Sequence, residues 1–402
     1  MSRSWTRREA LKACLCGIGA GMGGAIPALF SQLAQAAAGS GRILVVLELS
    51  GGNDGLNTLA PYADDAYYRH RPKIAIRPEK LRRIDLHFGF SPGMAGFEKL
   101  YKDGMMAVVH GCGYAQPSFS HFTSMAYWHT GAPNSGEEYG WVGRLADQID
   151  PALTPNFIVN IDEAQSLAVS ARTHVPVVFD EPERFSRKGL YQQRPLLDQL
   201  PAELDDGNAS RRYLLDVARS AREASQLVRD AWQNYRTPVD YGIAPVDLPK
   251  IAALIAAGMP TRLYYTSYRH NAFDTHVQQS DLHQRLLTYV SDAIAGFMKD
   301  LERIGRADDV AMLVFSEFGR RVPENTSLGT DHGTANHMYL VGSRVKGGHY
   351  GKIPSLTQLD EGDNLVFTTD FRRVYATTIE GWLKSPSQTV LRGNFETFPI
   401  FA

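Results

Sequence analysis

The segment Ile43–Leu49, with the sequence ILVVLEL, constrains the fold of this chain more than any other. A nearly uninterrupted apolar run of this length is typical of a strand that is buried on both faces of a parallel sheet. Other short apolar runs recur along the chain and are expected to form further strands. These are Met105–Val109, Phe157–Ile161, Arg262–Ser267, Val310–Phe315 and Met338–Val341.

Apolar residues spaced by three and four positions predict amphipathic helices between these strands. The predicted helices are Ser210–Tyr235, Val277–Ile304 and Phe371–Leu383. Strands that alternate with helices are typical of an α/β fold, here a doubly wound, mostly parallel sheet with helices on both faces. Residues 163–204 are rich in Pro and Arg and weakly periodic, and we interpret them as an insertion or lid.

The first 38 residues have the features of a twin-arginine (Tat) signal peptide. Arg7 and Arg8 precede a weakly apolar, Gly- and Ala-rich stretch that ends in small residues suited to cleavage. A membrane anchor is the alternative, but Gly and Ala contribute little to membrane insertion and Pro27 interrupts the run. We therefore expect a periplasmic or secreted protein that meets the Tat translocase during export, with residues 39–402 as one mature domain.

The composition of the 402-residue chain excludes several classes of function. The net charge is −1 at pH 7, so no basic field predicts nucleic-acid binding. No apolar run after the signal is long enough to leave a stable membrane span. Of three cysteines only Cys112 follows the signal, which excludes an internal disulfide in the mature chain and favours a buried thiol.

Side chains that bind metals follow several of the predicted strands, where open α/β sheets place their ligands. The first strand leads into SGGNDGLN, in which the glycines permit a tight turn that presents Asp54. An Asx-type turn with Asp54 as a cap explains the same residues equally well. Further along, Asp274 and His276 are two positions apart in an extended segment and can chelate one ion, although a solvated loop is the commoner explanation.

The densest group of such side chains lies between the strands Val310–Phe315 and Met338–Val341. It contains the four potential metal ligands Glu317, Asp331, His332 and His337. Arg320 and Arg321 lie beside them and are expected either to grip an anionic substrate or to neutralise Glu317.

The segment SFSHF is expected to begin a helix and to present a nucleophile. Ser118 or Ser120 at the helix N-terminus is most often only a cap. The alternative is that the helix dipole and a nearby cation stabilise a serine alkoxide, with His121 orienting the serine or binding the metal.

Several motifs in order resemble the exported proteins known as the domain of unknown function 1501 family. They are SGGNDGLN, SFSHF followed by YWHTG, FDTH, SEFGRR, GTDHGTANH and VKGGHYG. That family is grouped with the alkaline phosphatase and sulfatase superfamily. The resemblance implies an alkaline phosphatase-like core that holds two metal ions, or one calcium ion as in sulfatases. It also implies a nucleophile at a helix N-terminus and hydrolysis of phosphate or sulfate esters.

The resemblance also implies roles for particular residues. Asp54 matches the first metal carboxylate, Ser120 the nucleophile with Ser118 second, and Asp274 with His276 part of one metal site. Two registers remain open for the rest. In one, Asp331-His332-Gly333 is the Asp-His-Gly signature of the other metal site. In the second, Glu317 replaces the aspartate, Phe318 replaces a histidine ligand, and His332 is a late histidine.

We therefore expect a hydrolase that acts on a small or polymeric anionic ester. Its catalytic residues would be Ser120, His121 and Arg320, with a metal-activated water as the alternative nucleophile. Its divalent metal would be zinc first, with calcium or magnesium as alternatives. The competing hypothesis is a non-catalytic binding or assembly protein that keeps the fold with a degenerate site.

Overall fold

The central strand of the computed structural model, which describes residues 41–185 and 224–402, is the one that ILVVLEL predicts. This strand, β1 (Ile43–Leu49), is buried along its whole length and pairs in parallel on both sides. Its side chains alternate between two apolar cores: Val45 and Leu47 pack on one face of the sheet, and Leu44 and Val46 on the other. Burial on both faces explains why the run lacks polar alternation.

Two sheets form among the described residues. The strands after β1 are β2 (Leu59–Ala60), β3 (Arg82–Arg83), β4 (Gly89–Phe90), β5 (Met106–Gly113), β6 (Ile158–Ile161), β7 (Val177–Phe179), β8 (Leu263–Tyr268), β9 (Val310–Phe315), β10 (Asn336–Val341), β11 (Gly348–Tyr350) and β12 (Thr369–Asp370). The large sheet has the order β11-β5-β10-β9-β1-β8-β6-β7, and β12 also pairs with β5. The small one has the order β2-β4-β3.

The large sheet is mostly parallel, as the sequence predicts, and β10 is its antiparallel strand. Because β10 runs against its neighbours, its first residue lies at the edge where the parallel strands end. Segments that follow β1, β8 and β9 therefore meet the segment that precedes β10. This reversal brings the polar motifs of the chain together.

Helices cover both faces of the sheet. They are α1 (Gly55–Thr58), α2 (Asp65–His70), α3 (Ala95–Lys102), α4 (His121–Thr130), α5 (Trp141–Ile149), α6 (Leu248–Ala256), α7 (Gln279–Arg303), α8 (Arg372–Ala376) and α9 (Gln388–Leu391). Residues 224–234 are also helical, a π-helix (Thr377–Trp382) continues α8, and short 3₁₀ turns cover Leu167–Val169, Pro182–Arg184 and Ala307–Asp309. In the described part of the chain, no helix is both long and apolar enough to cross a membrane.

The predicted elements agree closely with the observed ones. The helix predicted at Val277–Ile304 is α7, and Phe371–Leu383 divides into α8 and the π-helix. Of the segment predicted as an insertion, the described part carries the edge strand β7, while 186–204 lie outside the described residues. The signal segment 1–38 and the first part of the helix predicted at Ser210–Tyr235 also lie outside them.

Candidate metal centre

Three imidazoles surround the carboxylate of Asp274 at the edge where β1, β8 and β9 end. One oxygen, Oδ1, lies 2.9 Å from His276 Nε2 and 3.1 Å from His332 Nε2. The other, Oδ2, lies 3.5 Å from His121 Nε2. Ligand atoms of His121, Asp274 and His332 all lie within 4.8 Å of one another, the spacing of groups that can share one metal ion.

In each of the three imidazoles, Nδ1, the ring nitrogen that faces away from Asp274, lies beside a hydrogen-bond acceptor. His121 Nδ1 lies 2.8 Å from Glu317 Oε1, His276 Nδ1 lies 3.2 Å from Asp331 Oδ1, and His332 Nδ1 lies 2.7 Å from the Phe119 carbonyl oxygen. An acceptor at Nδ1 requires a proton there, which in the neutral ring leaves a lone pair on Nε2. All three Nε2 lone pairs therefore converge on Asp274.

This arrangement fits a cation. Imidazole lone pairs that face a carboxylate repel it unless a positive charge lies between them. His121 Nε2 is buried and has no hydrogen-bond partner among the residues that the structure describes. Histidines that ligate metals characteristically donate their other ring N–H to a carboxylate or carbonyl oxygen, which is the pattern of His121, His276 and His332.

The pKa values of His121, His332 and Asp274 determine how strongly protons compete with a metal ion for these side chains. The hydrogen bond to Glu317 raises the pKa of His121, so that a proton on Nε2 opposes metal binding as the pH falls. Burial lowers the pKa of His332, which favours its neutral, metal-binding form. Burial favours a neutral Asp274, but the Arg320 guanidinium outweighs this effect and lowers the pKa of Asp274 to about 2.

Glu317 and Asp331, which the sequence predicts as metal ligands, lie behind the imidazoles. Glu317 is fully buried and accepts hydrogen bonds from the Gly51 N–H at 2.8 and 3.1 Å as well as from His121. Asp331 accepts from Asn325 Nδ2 at 3.0 Å. In this geometry both carboxylates orient a histidine, and the atoms that could share one metal ion belong to His121, His332 and Asp274.

Arg320 is enclosed beneath the cluster rather than presented to a substrate. Its Nη2 donates to Asp274 Oδ1 at 2.7 Å, and its Nε donates to the Gly52 carbonyl oxygen at 2.6 Å. Further N–H groups donate to the carbonyl oxygens of Gly51, Phe273 and Thr330. These bonds, with a contact of 3.5 Å between Nη1 and His276 Nε2, occupy the guanidinium. Arg320 therefore positions Asp274 and the loop after β1, which differs from the predicted clamp on an anionic ester.

Phe318 forms the apolar floor of the cluster. Its ring lies 4.9 Å from the His121 ring and 4.7 Å from the His332 ring, measured between centroids. Gly52 has a φ of 71°, and a Cβ atom there would overlap the Phe318 ring. Gly51 has a φ of 115°, and a Cβ atom there would lie 2.5 Å from the Asp274 nitrogen. The Gly51-Gly52 pair thus lets the loop pass beside Phe318 and Asp274.

Asp54 lies at the same end of β1 but is ion-paired away from the cluster. Its Oδ2 lies 2.7 Å from Arg71 Nη1, both side chains are fully buried, and Gln279 Nε2 also donates to Oδ2 at 2.5 Å. Burial opposes ionisation of Asp54, but Arg71 outweighs it and lowers the pKa of Asp54. A carboxylate neutralised in this way stabilises the loop, and the structure places it outside the group of shared ligand atoms.

Ser120 is the N-cap residue of α4, directly before His121, and is exposed. Its hydroxyl makes no hydrogen bond within the described residues, and its N–H donates to Ser118 Oγ at 3.2 Å. The structure therefore brings Ser120 to the cluster through its neighbour. Within the described residues, the Ser120 hydroxyl oxygen makes no hydrogen bond to His121, Asp274 or His332.

His337 belongs to a different group of histidines. It is the second residue of β10, and its ring packs edge-on against His110 with 5.0 Å between centroids. It makes no contact with Asp274 in the described structure. Sequence spacing predicts one ligand group for His332 and His337, and the structure places His337 outside the group of shared ligand atoms.

Several residues of the site carry no signal in the sequence. The Phe119 carbonyl that fixes His332 is a backbone atom, and any residue could supply it. Asn325 and Arg71 lie in loops without a recognisable motif. The hydrogen-bond partner of each is evident only in the folded structure.

The chain belongs to the family described as "Protein of unknown function (DUF1501)". The family model matches residues 42–371, which include all the described residues of the cluster. No curated protein matches the chain significantly.

Solved structures of the alkaline phosphatase and sulfatase superfamily are similar to this chain. A member of that superfamily from Vibrio parahaemolyticus is 12% identical with a TM-score of 0.43, covering 88% of this chain and 69% of its own. The PsFucS1 sulfatase from Pseudoalteromonas sp. is 13% identical with a TM-score of 0.38, and the similarity covers 92% of this chain and 72% of the sulfatase. The phosphonate monoester hydrolase from Silicibacter pomeroyi is 10% identical with a TM-score of 0.39, and the similarity covers 89% of this chain and 75% of the hydrolase. Similarities this weak identify neither a reaction nor a substrate.

Proposed function

We propose that this DUF1501 protein is an exported, metal-dependent hydrolase of phosphate or sulfate esters. The observation that carries the proposal is the convergence of the Nε2 lone pairs of His121, His276 and His332 on Asp274. Nitrogen ligands with one carboxylate favour zinc over calcium or magnesium, which prefer oxygen ligands.

His121, Asp274 and His332 would hold the ion, with His276 adjacent to Asp274 and His332. Glu317 and Asp331 keep Nδ1 of His121 and His276 protonated and so keep each Nε2 available to the ion. When bound, a divalent ion polarises an ester oxygen and offsets the negative charge that develops on a phosphoryl or sulfuryl group.

The chain offers two further features to an anionic ester. The N-terminus of the ten-residue helix α4 lies beside His121, and its free backbone N–H groups favour an anion. Arg321 is exposed next to the site, and its charge contributes to the lowered pKa of Asp331. With Arg320 enclosed, Arg321 is the guanidinium that we assign to the outer ester oxygens.

Ser120 is our proposed nucleophile, and a water molecule is the alternative. The exposed hydroxyl is unencumbered at the helix N-terminus, where the helix dipole favours an alkoxide. In the described structure no side-chain base bonds to it, so activation depends on the neighbouring cation. If the reaction uses water, the same ligand set serves and Ser120 contributes only its cap position.

One observation favours the competing function, a protein that binds metal or ligand without catalysis. Phe318 packs against both His121 and His332, in a position where the related superfamily is expected to have a histidine ligand. The described residues contain one group of ligands that meets the metal-site spacing. A single ion without a second cation nearby is compatible with binding alone.

Metal analysis combined with ester hydrolysis tests the proposal. The mature protein, purified from the periplasm, should contain a transition metal and hydrolyse an aryl phosphate or an aryl sulfate. Asp274→Asn should lose both properties, whereas Asp281→Asn, which alters an exposed carboxylate at the start of α7, should keep both. Metal-loaded protein that hydrolyses neither ester would replace the hydrolase with the binding protein.

A further inference from the structure

The two exposed phenylalanines of the described chain, Phe119 and Phe122, flank Ser120 and His121 in the sequence. Phe122 is 88% exposed and Phe119 is 42% exposed, whereas every other phenylalanine that the structure describes is buried or half-buried. Apolar rings in contact with water are unfavourable, and a group of them on a surface commonly marks a binding site. Here the group coincides with the candidate metal centre.

Both phenylalanines are joined directly to histidines of that centre. The Phe119 carbonyl oxygen lies 2.7 Å from His332 Nδ1, so the hydrogen bond that orients His332 also holds the backbone of Phe119. Phe122 directly follows His121, the first residue of α4. The two rings therefore belong to residues whose backbone is fixed beside the metal ligands.

A third exposed apolar side chain, Val277, directly follows the remaining histidine, His276. It is 61% exposed. Each of the three imidazoles around Asp274 is thus connected, by one hydrogen bond or by one peptide bond, to a residue with an exposed apolar side chain.

We propose that Phe119 and Phe122 bind the organic group of the ester and make the site selective for a large apolar group, either aryl or long-chain alkyl. This inference rests on the proposed function, because it assigns the substrate class of the same site. The charged end of the ester would lie at the metal position and the N-terminus of α4, and its organic group against the rings. Ligand sites commonly combine a few converging polar groups with an aromatic and apolar lining.

The fold itself gives neither ring a role. Neither residue belongs to the three apolar cores of the described chain. A hydrophobic residue directly before an N-cap often packs against the fourth residue of the helix. In α4 that residue is Ser124, which is buried and donates to the Glu317 carbonyl oxygen at 2.5 Å, so Phe119 has no apolar partner of this kind.

The rings supply a selectivity that the ionic part of the site lacks. The phosphoryl or sulfuryl group is the same in every ester of its class, so a cation and a helix N-terminus bind esters with different organic groups alike. Contact with an exposed ring discriminates between them, because only an apolar group gains by leaving water. Such a contact corresponds to about a 10-fold change in affinity.

Binding of phosphonates to the Zn²⁺-loaded mature protein tests the inference without turnover, because the C–P bond is not an ester bond. Isothermal titration calorimetry should show that phenylphosphonate or hexylphosphonate binds about 10-fold more tightly than methylphosphonate. Phe122→Ala should remove most of this preference and keep the parent affinity for methylphosphonate. The double variant Phe119→Ala with Phe122→Ala should abolish the preference. Tighter binding of the phenyl compound identifies aryl esters, and tighter binding of the hexyl compound identifies long-chain esters.

Leu86→Ala is the matched control, because it removes an apolar side chain that is 83% exposed between β3 and β4. It should keep the parent preference, and all variants should keep the parent Tm and zinc content. Equal affinities for the three phosphonates in the parent, no binding of any of them, or a preference that survives in the double variant overturns the inference. A parent dimer that the double variant loses, without any phosphonate preference, would instead assign the rings to an interface between copies.

Failure of this inference is distinguishable from failure of the proposed function. Ester hydrolysis by a protein with equal affinities for the three phosphonates would keep the hydrolase and remove the role of the rings. A preference that depends on Phe122, in a protein that hydrolyses no ester, would keep the role of the rings and assign it to a binding protein.

Discussion

His121 Nδ1 donates to Glu317 Oε1 over 2.8 Å, and this bond directs the other ring nitrogen of His121 towards Asp274. Glu317 is itself held by the Gly51 N–H, so the loop after β1 and the loop after β9 together fix one imidazole. The loops that follow the neighbouring strands β1 and β9 therefore determine the tautomer of His121.

We predict from this relationship that Glu317→Gln weakens metal binding without removing a ligand. The amide is a weaker acceptor for His121 Nδ1–H, and loss of such partners typically lowers metal affinity about 10- to 100-fold. Competition with a chelating dye measures the affinity. Glu361→Gln, at an exposed position, is the control. Affinity equal to that of the parent would show that Glu317 does not orient the ligand.

Ser120→Ala is expected to abolish ester turnover while the metal content stays at the parent level. The hydroxyl makes no hydrogen bond that the fold requires, so the loss would be chemical rather than structural. Ser118→Ala, two residues earlier, is the matched comparison, because Ser118 Oγ accepts a hydrogen bond from the Ser120 N–H. If Ser120→Ala keeps its turnover, the nucleophile is water or Ser118, and the second variant distinguishes these.

Arg71→Met should destabilise the protein by about 3–5 kcal/mol, because it leaves the buried carboxylate of Asp54 without a counter-ion. Urea unfolding measures the change. The double variant Arg71→Met with Asp54→Asn should recover part of it, since the unpaired charge is then removed. A single variant as stable as the parent, or a double variant less stable than the single one, would contradict the structural role of the pair.

The sequence predicted the strands that carry the site more reliably than the roles of its residues. Asp274 and His276 were identifiable because they follow β8, and the C-terminal ends of parallel strands share one edge. The direction of β10 could not be read in this way, because nothing within a strand records which neighbour it pairs with. That direction places His332 opposite Asp274.

Which carboxylate faces the metal position and which one supports a histidine depends on small differences in side-chain position that the sequence does not show. Glu317 and Asp331 are as suitable for metals as Asp274, and only the position of the imidazoles separates their roles. The sequence also did not predict the ion pair between Asp54 and Arg71, because Arg71 directly follows α2 in a segment without a recognisable motif. Burial, which determines such pairing, is a property of the folded chain.

Export remains a prediction, because residues 1–40 lie outside the described structure. Changing Arg7 and Arg8 to lysine should retain the precursor in the cytoplasm, since the Tat route reads the arginine pair rather than its charge. Fractionation followed by immunoblotting measures the distribution. Replacing Arg3 alone by lysine is the control for a general effect of the N-terminal region. Normal periplasmic accumulation of the double variant would exclude this route.

His174 gives a prediction for stability against pH that is independent of the candidate metal centre. Its Nδ1 lies 2.9 Å from Asp147 Oδ1 and its Nε2 lies 3.1 Å from Asp150 Oδ2. Burial opposes the charged ring, but the two carboxylates outweigh it and raise the pKa of His174. A pKa raised in the folded state stabilises the protein below the unfolded value of about 6.5, and this contribution is lost as the pH rises through the folded pKa.

His174→Gln should therefore cost more stability at about pH 5.5 than at about pH 8.5, with a difference of about 1 kcal/mol. Urea unfolding of parent and variant at both values measures it, and His87→Gln, at an exposed position, should show no such dependence. The lowered pKa values of Asp147 and Asp150 preserve the carboxylates at the lower pH, so the pair is intact there. An equal loss at both values would mean that His174 is neutral in the folded protein and bonds only as an uncharged ring.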